Sequence, residues 1–336
     1  MNDEREVLAA DRHQLLRGHL MSEINRERIA AAAARPKRRL GWLALPALAG
    51  GLAVAVALSS GGAQPAPPAQ AQAPASAGAE RPPAGKGSSA VLVLDHIAAV
   101  AAAKPAKDVK PNQFVHVKST VAFAGLHISD SGNRYVPGTP HQRQIWLSVD
   151  GSRPGLLVEE GQTPPTRTKP GDTWAPNPDG SIPLQPNDHP SVNSPTYQFL
   201  AGLPTDPDAL LKEIYEGVAN GKQNGDRGAF ATIGNLLREQ IAPPGVTAGL
   251  YRAAGKIPGV EVSDDAVDAS GRHGFGVAHV DGGVRYEWIF DRSSYEFLGE
   301  RDVVVSEGTE WGAPGTVIGH SAVVERTVVD KAGDGR

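Results

Sequence analysis

Between Leu40 and Leu58 the chain runs for nineteen residues, LGWLALPALAGGLAVAVAL, without a charge, and the next charged side chain is Glu80. At about 1.5 Å per residue a helix over this run spans roughly 28 Å, close to the hydrocarbon thickness of a bilayer. Pro46, Gly50 and Gly51 are tolerated in such helices. No polar face marks the run as a buried core helix, so the pattern predicts one transmembrane helix over 40–58. Arg35, Lys37, Arg38 and Arg39 stand directly before it, and no charge follows it for twenty residues. The positive-inside rule then puts residues 1–39 in the cytoplasm and the C-terminal bulk outside. Ala57-Leu58-Ser59 resembles a cleavage site, but the preceding segment is too long for a signal peptide's n-region, which favours an uncleaved anchor.

On the cytoplasmic side, Leu16, Leu20 and Ile24 recur at a helical spacing, predicting a helix over Asp11 to Ala34 with a thin apolar stripe. It fits either a docking helix or a solvated juxtamembrane one. Beyond the membrane, residues 59–87 are Ala, Pro, Gly, Gln and Ser with almost no charge, with Pro65, Pro67, Pro68, Pro74, Pro82 and Pro83 among them. Such a segment builds no core and reads as an extended, disordered tether.

Periodicity returns after it. Ser89 to Lys104 is helix-like, with Val91, Leu94, Ala98 and Ala101 along one side, and Pro105 stops it. Gln113 to Ala124 and Arg143 to Val149 alternate as strands, and Asp150-Gly151 turns the second toward Gly155 to Glu160. Residues 161–196, crowded with Pro, Asn, Asp and Gly, exceed an ordinary connection and predict a functional loop or insertion. From Leu203 to Ile241 the period becomes helical. Thr205-Asp206-Pro207-Asp208 offers a helix start, followed by Leu210, Leu211, Ile214, Tyr215 and Val218. A second helix carries Phe230, Ile233, Leu236, Leu237 and Ile241, and a third runs from Val246 to Ala254.

From Val260 onward the period is two. Runs at Val260–Asp268, His273–Val280, Val284–Phe290, Tyr295–Val305 and Thr316–Val329 are separated by short Gly, Asp and Ser turns, the signature of an antiparallel meander. Val284, Tyr286, Trp288 and Phe290 share one face, with Arg285, Glu287 and Ile289 on the other. Strict alternation puts Tyr295, Phe297, Val303 and Val305 together with Gly299 and Arg301. The sheet therefore has an apolar face, and the helices of 203–255 are available to cover it. The fold class expected is α+β: an antiparallel, half-barrel-like meander covered by helices, spanning 88–330.

Composition narrows the chemistry. A net charge of −4 argues against a nucleic-acid partner. With no cysteine, disulfides, thiol nucleophiles and Cys-based zinc sites are excluded. Motifs for a P-loop, a zinc protease, a nucleophile elbow or an EF-hand are absent. Gly274-Phe275-Gly276 lacks a third glycine and a following helix, so it reads as a strand where neighbours approach closely. His273 and His279 stand six residues apart on one strand, roughly 20 Å, too far to share a metal. His116 and His127 fall in different segments. His320 and Ser321 are adjacent on a strand and face opposite sides. Asp264, Asp265, Glu159, Glu160 and Asp281 read as solvated turn or edge carboxylates. Trp288 keeps the core alternation, and Trp146 lies in the Arg143–Val149 run. Trp174 and Trp311 lie in loops, where each either meets a ligand or pins its loop to the body. No catalytic, cofactor-binding or metal residue is assigned.

Three stretches then carry a resemblance: DRHQLLRGHLMSEI, LPTDPDALLKEIY, and GLYRAAGKIPGVEVSDDAVDASGRHGFGVAHVDGGVRYEWIFDRSSYEFLGERDVVV, with the closing GTVIGHSAVVERTVVDKAG. The chain resembles an actinobacterial family of uncharacterised single-pass membrane proteins. More loosely, the order of elements is similar to the half-barrel domains of periplasmic lipoprotein carriers and sigma-regulatory sensors. The resemblance implies a cell-membrane location, and no catalytic residues can be carried over from it. The function expected is a non-enzymatic extracytoplasmic domain that binds or senses an envelope ligand or protein partner. The alternatives are a carrier of lipid or another apolar ligand and, behind it, an enzyme acting on the cell wall.

Overall fold

Strands β1 (Phe114–Phe123) and β11 (Val317–Val329) pair antiparallel through the middle of the sheet, from Phe114 opposite Val329 to Phe123 opposite Gly319. The first and last strands of the domain thus join its two halves. The computed structural model describes residues 86–129, 132–161, 177–219, 225–309 and 311–336. The predicted helix at 11–34, the predicted membrane span at 40–58 and all but the end of the predicted tether lie outside the described residues. Among the described residues no helix is long and apolar enough to cross a membrane.

On one side of the β1–β11 pair stand β4 (His141–Ser148), β5 (Gly155–Glu159) and β6 (Ile182–Leu184). On the other stand β10 (Phe297–Val304), β9 (Val284–Phe290), β8 (His273–Asp281) and β7 (Glu261–Val267). The nine strands form one sheet in the order β6-β5-β4-β1-β11-β10-β9-β8-β7, with antiparallel neighbours throughout. A separate hairpin, β2 (Gly125–Ser129) with β3 (Gly132–Val136), was not foreseen from the sequence. The fold is α+β with this sheet as its base.

Among the described residues five helices accompany it: α1 (Lys86–Ala102), α2 (Tyr197–Ala201), α3 (Pro207–Ala219), α4 (Gly225–Glu239) and α5 (Pro244–Gly255). The predicted start at Thr205–Asp208 is used. Asp206 Oδ1 accepts the Ala209 N–H at 2.9 Å, and Pro207 opens α3, where a missing N–H costs nothing. The stripe of α4 then meets the apolar face of the meander. Phe230 lies flat on Trp288, ring centroids 3.9 Å apart, and Tyr251 of α5 meets Phe290 edge-on. One core cluster collects Leu94 and Ile97 of α1, Leu210 and Ile214 of α3, Ile233 of α4, Leu250 of α5, and Val277, Trp288 and Phe290 of the sheet. Burying a side chain of this size contributes about 1.5–3 kcal/mol each, which makes this contact the main stabilising feature of the domain.

The structure corrects several expectations. The helix α1 starts at Lys86, two residues inside the predicted tether. Residues 177–196 are not a free loop: β6 pairs with β5, and Val192 is buried in the core under α3. In β10 the register against β9 shifts between Phe297 and Gly299, a bulge. One extra residue flips everything beyond it. Glu300 lies opposite Trp288 and Asp302 opposite Tyr286, so both share the helix-side face with Phe297, which the alternation had assigned to Val303 and Arg301. The meander also curls, so its second face is buried as well. Arg272, in the β7–β8 turn, reaches the carbonyls of Leu298 at 3.0 Å and Val323 at 2.8 Å. Beneath it Ala266, Ile289 and Leu298 form a small cluster of their own.

Candidate functional site

The bulge in β10 gives the helix–sheet contact a charged margin. Where the last turn of α4 meets β4 and β10, five charged side chains of alternating sign lie in a row, with His141 at one end. His141 Nε2 stands 2.7 Å from Glu159 Oε1, and Glu159 Oε2 stands 3.8 Å from Arg143 Nε. Arg143 Nη1 donates to Glu239 Oε1 at 2.7 Å. That same oxygen lies 3.5 Å from Arg238, whose Nη1 donates to Glu300 Oε2 at 3.0 Å. The other ring nitrogen of His141 faces the Thr139 carbonyl at 2.8 Å. A carbonyl and a carboxylate both accept, so both contacts are hydrogen bonds only when the imidazole carries two protons. In that form the ladder reads plus, minus, plus, minus, plus, minus.

Glu159 was expected to be solvated. Its side chain is 5% exposed, as is that of Arg143, because the residue keeps phase with Leu157 on the helix side of β5. Glu160, next in sequence, points away and is exposed.

Asp302 extends the row by one more carboxylate. Burial, and then the neighbouring Glu300, push its pKa up to about 7, against the pull of Arg238 and Arg227. Burial also raises Glu300, with Arg238 opposing. Burial would raise Glu239 too, but Arg143 and Arg238 outweigh it and hold that carboxyl below its ordinary value. On the same side of the sheet Arg227 lies 4.5 Å over the Tyr286 ring and 3.8 Å from Asp281. Taking this many charges from water is expensive and is repaid only by close pairing. Perturbed, paired carboxylates of this kind mark a candidate functional position rather than a stability device.

The geometry leaves α4 no slack here. Gly234 faces Trp288, and a Cβ at that position would lie 2.6 Å from the indole Nε1 and would overlap Glu300. Trp288 is fixed by its stack on Phe230 and cannot give way. Gly234→Ala, ordinarily favourable in a helix by about 1 kcal/mol, is therefore expected to lower the midpoint of thermal unfolding by several degrees. Calorimetry of the two proteins checks this.

The other singled-out residues fall elsewhere. His273 is exposed beside Asp265 at one end of β8, while His279 is buried against Phe230 toward its other end. His320 bonds the Val267 carbonyl at 2.8 Å, and Ser321 Oγ accepts the Glu300 N–H at 3.0 Å, so the two do not meet. Asp264, Asp265 and Asp281 are exposed. Gly276 does stand at a close approach, where a Cβ would overlap Glu287 and Ser263. Trp311 stacks on Tyr135 at 3.8 Å and so pins its loop. The Trp174 position lies outside the described residues, as does the His127 side chain. Trp146 is fully buried against His116. Among the described residues no group of three or more His, Asp or Glu could hold a metal ion.

No protein-family model, curated protein or solved structure matches the chain.

Proposed function

We propose that the chain is a single-pass membrane protein of the cell envelope, with its N-terminus in the cytoplasm and a C-terminal domain that acts by binding or sensing rather than by catalysis. The observation that carries this reading is the charged ladder. Its side chains take one another as partners, so no nucleophile and base are turned toward a substrate. At its end stands Asp302, a group whose charge changes near neutral pH. A helix seated through such a contact responds to its surroundings by a change of charge at one position. The address rests on the uncharged run at 40–58 and the basic cluster before it. The resemblance to the actinobacterial membrane family, and the looser one to half-barrel carriers and sensors, agrees with it.

A carrier of apolar ligands is the weaker reading. It needs room between sheet and helices, where Phe275, Val277, Trp288, Phe290 and Phe297 are each at most 9% exposed. Lipid-range extra mass in the native mass spectrum of the purified chain would promote it over sensing.

The absence of cysteine makes the address directly testable. In intact cells a membrane-impermeant maleimide is expected to label Ala99→Cys, an exposed position on α1, and to spare Ser22→Cys until the cells are broken. Labelling of Ser22→Cys alone would reverse the topology. Labelling of neither in intact cells would place the whole chain inside.

A further inference from the structure

On the face of β1, β4 and β5 away from α4, the residues 331–336 lie across an aromatic floor. Trp146 and His116 are cross-strand partners, stacked at 4.2 Å and within 7° of parallel. His116 Nε2 faces Gln144 Oε1 at 3.2 Å and its Nδ1 faces Thr327 Oγ1 at 3.4 Å, which suits a neutral ring, and burial indeed lowers its pKa. A floor of this kind on an outer sheet face is covered here by a short peptide. The indole Nε1–H donates to the Asp334 carbonyl at 3.0 Å. Gly335 sits beside His116, near enough that a Cβ would touch the ring. Arg336 lies 5.8 Å over the indole and reaches Asp179 with Nη1 at 2.7 Å.

These contacts are those of a ligand in a site: a carbonyl on a buried donor, a residue without a side chain against a ring, and a guanidinium on a carboxylate. They are also weak ones. The Arg336–Asp179 pair is 39% and 51% exposed, and such pairs contribute about 0–1 kcal/mol. Gly333 and Gly335 both hold positive φ, so the segment has no side-chain packing of its own at two of its six positions. By contrast the floor is rigid, built from two long paired strands with Trp146 at 0% and His116 at 1% exposure.

We propose that the Trp146–His116 floor, with Asp179 at its rim, is a peptide-binding groove that segment 331–336 occupies as an internal ligand. The partner it fits is a protein segment presenting, in a turn, a glycine with positive φ followed by an arginine. Binding of that segment displaces residues 331–336. This groove lies apart from the charged ladder and stands whether or not the chain is a sensor. A segment joined to its own groove faces it at an effective concentration on the order of millimolar or higher. An external peptide therefore binds the intact chain poorly, and removing the internal one exposes the site.

The test is fluorescence anisotropy of a labelled KAGDGR peptide with the full chain and with the same chain lacking residues 331–336. Binding at least about tenfold tighter to the shortened chain is expected. Asp179→Asn in the shortened chain, or alanine in place of the peptide's arginine, is expected to weaken it by up to about fivefold. A shortened chain that keeps its circular dichroism and binds no peptide overturns the proposal. So does binding indifferent to both the arginine and Asp179. A shortened chain that fails to fold overturns it too, because a segment required by the core is not a displaceable ligand.

Discussion

Asp302→Asn is expected to make the domain more stable at pH 8 and to remove most of its loss of stability between about pH 4 and pH 7. The sign follows from where the proton sits. In the unfolded chain Asp302 titrates near the ordinary carboxylate value of about 3.9, whereas in the fold burial and Glu300 raise it to about 7. Between those values the folded chain holds a proton that the unfolded chain has released, so stability falls as pH rises through the window. Below it the carboxyl is neutral in both states, and above it the full cost of a buried charge is present. Asparagine keeps the size and stays neutral throughout. The gap corresponds to roughly 4 kcal/mol, or a rise in melting temperature on the order of 10 °C at pH 8 for a domain of this length. At pH 4 the two proteins should melt together. Thermal unfolding across pH 4 to 8 decides the matter: parallel profiles for parent and variant would mean that Asp302 is not the group that titrates.

The same residue bears on how α4 is held. When Asp302 loses its proton, the helix-side margin carries two neighbouring carboxylates, Glu300 and Asp302, against Arg238 and Arg227. Arg238 is already engaged by both Glu300 and Glu239. The added charge therefore competes for a cation that the ladder uses to join α4 to β10 and, through Glu239 and Arg143, to β4. The charge step at Asp302 and the seating of the helix are one electrostatic problem, which is the physical content of the sensing proposal.

Much of the fold was legible because its strands are half-buried and keep strict phase. Trp288 and Phe290 pack in the core with the helices as the alternation requires, while Val284 packs in a separate cluster with Ala124, Val304 and Ile318, and the meander's strands fall within two residues of their expected bounds. The ladder was only partly legible. Arg143 keeps phase with Ile145, and Glu159 with Leu157, so two charges in an apolar row were visible and could have been read as a buried pair. Glu300 and Asp302 were hidden, because a one-residue bulge at Leu298 leaves no mark in the composition of FLGERDVV. The β2–β3 hairpin was equally hidden. Its strands are five residues each and outside the main sheet, too short for periodicity to declare. The cover over Trp146 could not be foreseen at all, since it depends on residues 334–336 meeting a strand nearly two hundred positions earlier.

Glu287→Gln is expected to be among the most damaging single changes in the meander, although Glu287 takes no part in the ladder. It lies on the opposite face of β9, directly across from Arg301 of β10. Arg301 donates to its Oε2 from Nε at 3.1 Å and from Nη2 at 2.8 Å, while the Ser263 hydroxyl donates to Oε1 from β7. The Glu287 side chain is wholly buried, and Gly276 leaves the space it fills. Removing the charge leaves Arg301 as a cation without its counter-ion, a loss of about 3–5 kcal/mol, or on the order of 10 °C in melting temperature. The exposed Lys104–Glu296 pair provides the control. Its 2.7 Å separation is as short, but its side chains are 50% and 58% exposed, so Glu296→Gln should change stability by less than about 1 kcal/mol. Replacing both partners, Glu287→Leu with Arg301→Met, should recover most of the loss, because the penalty belongs to the unpaired charge and not to the absence of a bond. If Glu287→Gln melted within about 2 °C of the parent, less than 1 kcal/mol for a domain of this length, this face of the meander would be held by the Ala266–Ile289–Leu298 cluster and the Arg272 hydrogen bonds rather than by the charge of Glu287.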